Sequence, residues 1–490
     1  MSKTICALLL FPFVSLAQSG PQHQAPSVIT QRVNELINVS NGAWSEAQLK
    51  TMAKLRDAAL DDTYALRQLR YLTDNIGPRL TGSPQAQAAI EYVCSEMRRL
   101  GADVHMERVS VPHWIRGLEA GEVVKWPGQT VGTVQKLALT ALGGSPGTGA
   151  NGLRAQVVVA DSLEQLKAMP SEFAKGKILL LNYPFDKQLA AEGHGDVAYQ
   201  QAVSYRVAAP AIGAMVGAAA VLVRSVGSAD YRLPHTGQAQ YTAESAHIPT
   251  AAISAEDADL LANLVQQGQV EMRLVLTCEL RPNVDTYNVL ADWKGTEHPE
   301  QVVIVSGHLD SWDLGTGALD DGAGIVAAMS AIELLNKLAI HPKRTVRFVA
   351  WINEESGLDG AKTYAREHTA DISNHVAAIE SDLGAGHPAG IYFVGNPALS
   401  EWLKPIGRVL NPIGAADIRR TTEAASDIGA LDEGGVPGFA PEQDSRFYFN
   451  YHHTAADTFD KVNPKELNEN AAVMTVLAYA LADANEQVPR

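Results

Sequence analysis

Acidic and imidazole side chains follow two apolar runs in the middle of this chain. The first run, VVIVSG, leads into His308 and Asp310, and the second, TVRFVAWIN, leads into Glu354 and Glu355. Open α/β sheets bind their ligands at the carboxyl ends of strands, so these side chains are expected to lie close together. Imidazoles and carboxylates bind metal ions, and Asp310 can accept the second ring N–H of His308. The pattern therefore predicts a metal site.

An acidic turn lies between the two runs, immediately before an apolar helix. Asp320 and Asp321 are adjacent, and two ionised carboxylates are costly to hold together unless a cation compensates them. Aspartate is also well suited to capping a helix N-terminus. Both roles are compatible if Asp321 caps the helix near Ala323 while Asp320 faces the site.

Further candidates come from downstream segments. Asp382 follows the apolar run HVAAIE, and the segment YFNYHHTAADT contains His452 and His453. Tyr448 and Tyr451 of the same segment are either donors to a reacting oxygen or packed aromatic residues. No cysteine lies near these motifs, so a bound metal is expected to have only oxygen and nitrogen ligands.

The composition is that of a globular protein with more than one domain. The 490 residues are 46% hydrophobic and 19% charged, and the usual ~100–200 residues per domain allow two to four domains. The formal net charge is −16. Nucleic acids and anionic membranes attract surfaces rich in Lys and Arg, so neither is expected as a partner.

The first 17 residues, MSKTICALLLFPFVSLA, are typical of a secretory signal peptide, and the alternative is a buried N-terminal helix. Lys3 precedes an apolar run shorter than the ~20 residues of a membrane-spanning helix, and small residues precede Gln18. We therefore expect export to the periplasm or the medium. Once Cys6 is set aside with the signal, too few cysteines remain for a disulfide scaffold. Cys94 and Cys278 are expected to be two separate buried thiols, and a single bridge between them is the alternative.

Hydrophobic periodicity divides the rest of the chain into three parts. Residues 45–119 carry helical patterns over 49–72 and 86–100 and a strand pattern over 104–111. Residues 120–280 hold short β-branched runs between Gly/Pro/Ser clusters, with a helix after residue 207 and another over 255–266. From residue 281 strands alternate with helices, the strands at Val302, Thr345, Val376, Ile391 and Ile418 and the helices at Ala323, Asp359, Leu399, Ile428 and Pro464.

This order predicts an α/β fold with a mixed, mainly parallel sheet flanked by helices. We expect residues 45–119 and 281–490 to form one domain. Residues 120–280 are expected to be a β-rich domain inserted at a surface loop, where insertions are tolerated. The histidines of this insertion, His194, His235 and His247, are scattered and are not expected to be ligands.

The motif order H-L-D, D-D-G-A-G, E-E, E-S-D and H-H-T-x-x-D-T resembles the two-zinc exopeptidases of the aminopeptidase and glutamate carboxypeptidase clan. Within that clan the chain looks most like the carboxypeptidase Q group, also called plasma glutamate carboxypeptidase. DNIGPRLTGS resembles the N-terminal motif of the group, GHLDSWDLGTGALDDGAG its metal loop and NEESGLDGA its catalytic loop. Residues 120–280 resemble the protease-associated domain that is inserted in that group.

The resemblance implies two zinc ions per chain. The implied ligands are a bridging Asp320, with His308 and Asp382 on one ion and Glu355 and His453 on the other. Glu354 would be the general base, acting on a water that the ions acidify. His453 is preferred to His452 because it stands four residues before Asp457, which is the spacing of the family's H-x-x-x-D pattern. The peptide bond after the bridging aspartate would be cis.

The implied function is that of an exported di-zinc exopeptidase that hydrolyses short peptides or dipeptides from a free N-terminus. A carboxypeptidase or an amidase using the same site is the first alternative. A receptor-like binding protein on the same scaffold is the second, although the ligand set is complete. A serine hydrolase is set aside for want of a G-x-S-x-G elbow. A homodimer is implied by the resemblance alone.

Overall fold

Strands form where aliphatic and β-branched residues cluster, and the computed structural model, which describes residues 42–170, 172–241 and 247–490, places them in two separate sheets. In chain order the described strands are β1 (Asp103–Ile115), β2 (Glu119–Lys125), β3 (Gln135–Leu137), β4 (Leu139–Ala141), β5 (Leu153–Ala160), β6 (Ile178–Leu181), β7 (Ala220–Arg224), β8 (Thr250–Ile253), β9 (Glu271–Leu276), β10 (Glu279–Trp293), β11 (His298–His308), β12 (Arg344–Trp351), β13 (His375–Glu380), β14 (Pro388–Val394), β15 (Asp417–Arg420) and β16 (Gly438–Gln443). The expected signal peptide lies outside the described residues.

The first sheet has the strand order β1-β10-β12-β11-β13-β16-β14-β15. Its four central strands β12, β11, β13 and β16 are parallel, whereas β1 and β10 form an antiparallel edge and β14 runs antiparallel to β16. The expected mixed, mainly parallel sheet is confirmed. The sequence did not predict β10 and β16, because each contains a proline, Pro282 and Pro441, and proline argues against a regular strand.

Helices from the first and last parts of the chain cover both faces of this sheet, whereas the helices between residues 163 and 267 lie between strands of the second sheet. The longer helices are Glu46–Leu60, Pro84–Arg99, Gly195–Val207, Ala255–Gln267, Ala323–Lys337, Asp359–Glu367 and Pro464–Asp483, and the shorter ones are Tyr64–Arg70, Leu163–Ala168, Lys187–Ala191, Ala209–Met215, Glu354–Gly357, Leu399–Trp402, Lys404–Leu410 and Gly429–Asp432. No described helix combines the length and the apolar character that crossing a membrane requires. The helices Ala323–Lys337 and Pro464–Asp483 are almost entirely buried and form the core with one face of the sheet.

The first helical pattern was predicted as one helix over residues 49–72, and this prediction is wrong. The chain forms two helices there and breaks after Leu60, although the apolar spacing continues across the break. Asp62 explains the break, because its carboxylate accepts the backbone N–H of Tyr64 at 2.7 Å and so starts a new helix.

The second sheet is built only from residues 119–276, and we call it the inserted sheet. Its order is β3-β2-β9-β5-β6-β7-β8-β4, with β5, β6, β7 and β8 parallel. The chain leaves the first sheet at the end of β1 and returns at the start of β10, where Ile115 pairs with Glu279. Cys94 and Cys278 are free, buried thiols, as expected.

Candidate metal centre

Three parallel strands of the first sheet bring the predicted residues to one edge. β11 ends at His308, β12 is followed closely by Glu354 and Glu355, and Asp382 lies two residues beyond β13. The last residue of β11 is in register with the last residue of β12, so their following loops start side by side. His453 reaches the same place from the loop before the C-terminal helix.

The predicted ligands form two groups that share one carboxylate. His308 Nε2 lies 3.1 Å from Asp320 Oδ1 and 3.3 Å from Asp382 Oδ1. His453 Nε2 lies 3.2 Å from Asp320 Oδ2 and 2.9 Å from Glu355 Oε2. Each oxygen of Asp320 therefore faces its own imidazole and carboxylate pair.

His452 lies beside His453, and the two rings are stacked with centroids 3.6 Å apart. His452 Nε2 is 3.6 Å from Asp320 Oδ2, which is farther than His453. His453 also places Nδ1 3.2 Å from the carbonyl oxygen of Thr236, and such a carbonyl contact on the second ring nitrogen is usual for a histidine that binds metal. The geometry favours His453 as the ligand.

Asp321 has the helix-capping role that the sequence predicts. Its Oδ1 accepts the N–H of Gly324 at 2.9 Å, and its Oδ2 accepts the N–H of His308 at 3.1 Å. The Asp320–Asp321 peptide bond is cis. One carboxylate of the pair thus fixes the turn and the other faces the site.

Asp310 acts through different atoms from those predicted. His308 Nδ1 is 3.0 Å from the carbonyl oxygen of Asp310 and 4.0 Å from its carboxylate. The carboxylate instead accepts the hydroxyl of Thr81 at 2.9 Å and the backbone N–H of Glu354 at 3.1 Å. The prediction was wrong in this respect, because residue spacing does not show which oxygen of an aspartate faces a ring two positions away.

The chain is similar in sequence to known peptidases. The sequence profile described as peptidase family M28 matches residues 288–478. Carboxypeptidase Q of Mus musculus is 37% identical over 425 residues, which are 86% of each chain, and that of Bos taurus is 36% identical over 98% of this chain and 99% of its own. The chain belongs to peptidase family M28.

Solved structures agree with this membership. The peptidase M28 precursor of Shewanella amazonensis has a TM-score of 0.85 at 34% identity, over 91% of this chain and 99% of its own. An aminopeptidase from Aneurinibacillus sp. strain AM-1 shares the fold, with a TM-score of 0.61 at 19% identity over 89% of this chain and 98% of its own. As a member of family M28, the chain is a zinc-dependent metallo-exopeptidase.

Asp457 supports the loop that contains Asp320 in this M28 chain, and the sequence analysis used Asp457 only for its spacing from His453. Its carboxylate accepts the backbone N–H groups of three consecutive residues, Ala318 at 3.0 Å, Leu319 at 2.7 Å and Asp320 at 3.2 Å. Burial and the nearby Asp320 raise the pKa of Asp457 to about 7. This aspartate therefore holds the backbone of Asp320, the predicted bridging residue, in place.

Arg79 supports the same loop from the N-terminal motif DNIGPRLTGS. It is fully buried and donates to the carbonyl oxygens of Leu309 at 2.7 Å, Thr316 at 2.8 Å and Gly317 at 2.8 Å. Burial lowers the pKa of Arg79, and the surrounding aspartates oppose that change. The motif match was the only sequence signal for this residue.

The electrostatics of the centre fit a divalent cation. Burial raises the pKa of Glu354 well above its usual range, and burial together with Asp320 raises the pKa of Glu355 to about 7. Burial also acts to raise the pKa of Asp320, but hydrogen bonds from the two imidazoles hold it well below its usual range. Buried carboxylates are costly unless cations pair with them, and the convergent oxygen and nitrogen donors are those that zinc accepts.

The two tyrosines of the C-terminal segment differ in position. Burial and the nearby carboxylates of Asp320 and Asp382 raise the pKa of Tyr448 well above its usual range, so its hydroxyl stays protonated beside the centre. Tyr451 instead packs against Lys461, whose Nζ lies 5.7 Å from its ring centre.

The segment Gly143-Gly144-Ser145-Pro146-Gly147 does match the string G-x-S-x-G, which corrects the statement that the chain lacks it. Ser145 is fully buried, donates its hydroxyl to the Pro146 carbonyl at 3.0 Å and accepts the N–H of Thr250 at 2.9 Å. A nucleophile elbow requires a helix directly after the serine. The element that follows Ser145 is the strand β5. The serine hydrolase alternative remains excluded, on structural grounds.

Proposed function

We propose that this M28 chain releases residues from short peptides or dipeptides that carry a free N-terminus, using two zinc ions. The proposed ligands are a bridging Asp320, with His308 and Asp382 on one ion and Glu355 and His453 on the other. The observation that carries the proposal is the position of Asp320, whose two oxygens face two separate imidazole and carboxylate pairs. When bound, such a metal pair polarises the scissile carbonyl and lowers the pKa of water.

Glu354 is the proposed general base. It is partly buried beside the proposed ligands, yet it makes no ion pair with either proposed ligand histidine in the described structure. Asp310 fixes the backbone of Glu354 through the 3.1 Å hydrogen bond to its N–H. Glu354 takes the proton from the attacking water and returns it to the leaving amine.

The charge around the centre supports a free N-terminus. Among the described residues, the clefts at the metal centre and beside it are lined by carboxylates, histidines and neutral side chains, without lysine or arginine. No lysine or arginine of that lining is available to pair with a C-terminal carboxylate of the substrate, which disfavours a carboxypeptidase. The second candidate is a carboxypeptidase that uses the same residues, because the similar proteins are named carboxypeptidase Q.

A panel of blocked dipeptides tests the choice between these activities. Ala-Ala, N-acetyl-Ala-Ala and Ala-Ala-amide are incubated with enzyme whose zinc content has been measured. We expect two zinc ions per chain, cleavage of Ala-Ala and Ala-Ala-amide, and no cleavage of the acetylated peptide. Cleavage of N-acetyl-Ala-Ala with Ala-Ala-amide left intact establishes the carboxypeptidase instead.

The domain plan and the location are part of the same proposal. Residues 45–119 and 281–490 form the zinc peptidase domain, and residues 120–280 are a protease-associated-like domain, supported by their separate sheet. Residues 1–17 direct export to the periplasm or the medium. Cell fractionation with N-terminal sequencing of the mature protein tests the signal, and sedimentation analysis tests the homodimer.

A further inference from the structure

A pocket lies where the inserted sheet meets the first sheet. Its volume is about 170 Å³. Its apolar walls come from both parts of the chain. Residues outside the insertion contribute Leu80, Pro112, Trp114 and Leu280, and the insertion contributes Ala239 and Tyr241. The sequence gives no sign of this pocket, since its walls come from distant parts of the chain.

Two residues of the pocket lining are connected to the proposed general base, Ser356 through the chain and Thr81 through hydrogen bonds. Ser356, which lines the pocket, directly follows Glu355 in the chain. Thr81 also lines it and donates to the carboxylate of Asp310, whose other oxygen accepts the N–H of Glu354. A group in the pocket is therefore close to the residues that carry the reaction.

A pair of tryptophans connects the pocket with the ligand His453. Trp114 lines the pocket and meets Trp312 edge to face, with ring centres 6.4 Å apart. The ring of Trp312 in turn lies 5.8 Å from that of His453. The pocket thus lies on the Glu355 and His453 side of the metal centre.

The lining is mainly apolar, and its polar side chains besides Tyr241 are those of Thr81, Gln238, His247 and Ser356. Among the described residues, no lysine, arginine, aspartate or glutamate lines the pocket. The hydroxyl of Tyr241 is already used, donating to the carbonyl of Ile248 at 2.9 Å, and the indole N–H of Trp114 donates to the carbonyl of Ser145 at 2.9 Å. An apolar cavity of about 150 Å³ binds benzene, so this pocket has room for the side chain of leucine or phenylalanine.

We propose that this pocket receives a bulky apolar side chain of the peptide substrate and so sets the preference of the enzyme. The proposal rests on the proposed function, since it names the substrate class of the same site. Discrimination between apolar side chains in such pockets amounts to about 10–200-fold in kcat/KM. Wild-type enzyme is expected to prefer Phe-Ala or Ala-Phe over Ala-Ala, and the preferred peptide shows which residue enters the pocket.

Leu280→Trp tests the proposal, because Leu280 is 48% exposed and its replacement fills the pocket without disturbing the core. We expect kcat/KM for the preferred bulky dipeptide to fall about tenfold more than kcat/KM for Ala-Ala. The matched control is Leu118→Trp, at a leucine that is 76% exposed and outside the pocket, which leaves both values unchanged. Equal changes for all dipeptides in Leu280→Trp overturn the pocket proposal.

A binding measurement separates failure of this proposal from failure of the proposed function. Phenylalaninamide is expected to raise the melting temperature of wild-type enzyme and of Leu118→Trp more than that of Leu280→Trp, whereas glycinamide raises all three alike. If wild-type enzyme cleaves no dipeptide, the proposed function fails while this binding difference still decides the pocket. The absence of a difference between the amides overturns the pocket proposal even when dipeptides are cleaved.

Discussion

The two sheets have the same central arrangement, four adjacent parallel strands, but their carboxyl ends differ in charge. In the inserted sheet the polar groups at these ends satisfy one another. Asn182 donates to Asp161 at 3.1 Å, and Arg224 donates to Asn182 at 3.1 Å and pairs with Asp259. In the first sheet, the buried carboxylates outnumber the three histidines and the Arg79 guanidinium beside them, so the chain alone does not neutralise them. Both sheets bring the carboxyl ends of parallel strands together, but among the described residues only the first sheet has buried carboxylates there that need a cation.

The inserted sheet nevertheless takes part in the centre. The segment after β7 runs along the two histidines, so that the N–H of Thr236 donates to the His453 carbonyl at 2.9 Å. His235 Nδ1 lies 2.7 Å from the carbonyl oxygen of His452. The first sheet supplies the carboxylates, and the insertion supplies the hydrogen bonds of Thr236 and His235 that orient the proposed ligand His453 and its neighbour His452.

Removing the shared carboxylate is expected to have the largest effect. Asp320→Asn leaves both imidazole and carboxylate pairs without their common anionic oxygen, so zinc content and kcat/KM are expected to fall to background. Metal analysis and Ala-Ala hydrolysis measure the two losses. Asp161→Asn, at the carboxyl end of β5 in the inserted sheet, is the matched control and is expected to change neither. If Asp320→Asn retains zinc and activity, the buried carboxylates of the first sheet do not distinguish it from the inserted sheet as a metal site.

Removing the proposed base comes next. Glu354→Gln is expected to lower kcat by about 10²–10⁴-fold, because the variant has no group to take the proton from water. Zinc content is expected to stay at the wild-type value, since Glu354 is not a proposed ligand. Loss of zinc together with activity assigns Glu354 to the ligands, and full activity shows that another group is the base.

A substitution in the insertion is expected to lower zinc affinity without abolishing zinc binding. Arg206 Nη1 donates to the Thr236 carbonyl at 3.4 Å and Nη2 donates to the Tyr199 hydroxyl at 2.7 Å. Arg206→Met frees the carbonyl that orients His453, so zinc affinity is expected to fall by about tenfold, as for other partners of metal ligands. Competition with a chelator measures the affinity. Arg224→Met, which breaks the ion pair with Asp259 in the same sheet, serves as control; equal effects would mean that general loosening of the insertion is responsible.

The smallest effect concerns a partly buried carboxylate away from the centre. Burial and the nearby Asp62 raise the pKa of Glu333 to about 7, above its unfolded value near 4.5. The raised pKa means that folding is favoured while Glu333 is protonated, and that stability is lost as the pH rises from about 4.5 to about 7. Glu333→Gln should therefore be more stable than wild type at pH 8, by about 1 kcal/mol after solvent screening, and no more stable at pH 4. Urea unfolding at both values checks this, and a gain independent of pH contradicts it.

The sequence predicted that His308, Glu355 and Asp382 meet because each follows an apolar strand, and strand ends of one parallel sheet converge. Asp320 and His453 do not follow strands, and the family resemblance alone assigned their roles. It did not predict the hydrogen-bond partners of those residues. Arg79 and Leu309 are far apart in the chain, as are Thr236 and His453, and their contacts depend on how the two sheets pack. The pocket beside the base was missed for the same reason.

The pairing of β1 with β10 has a consequence for folding. It joins Ile115 to Glu279, so the edge of the first sheet closes a loop of roughly 160 residues, and pairing at such separation is slow. The inserted sheet has an apolar cluster made entirely of its own residues, so it can order first and bring the two ends of that loop together. The proposed ligand His453 is oriented by Thr236 of the insertion, so we expect the metal centre to form only after the two sheets have packed together.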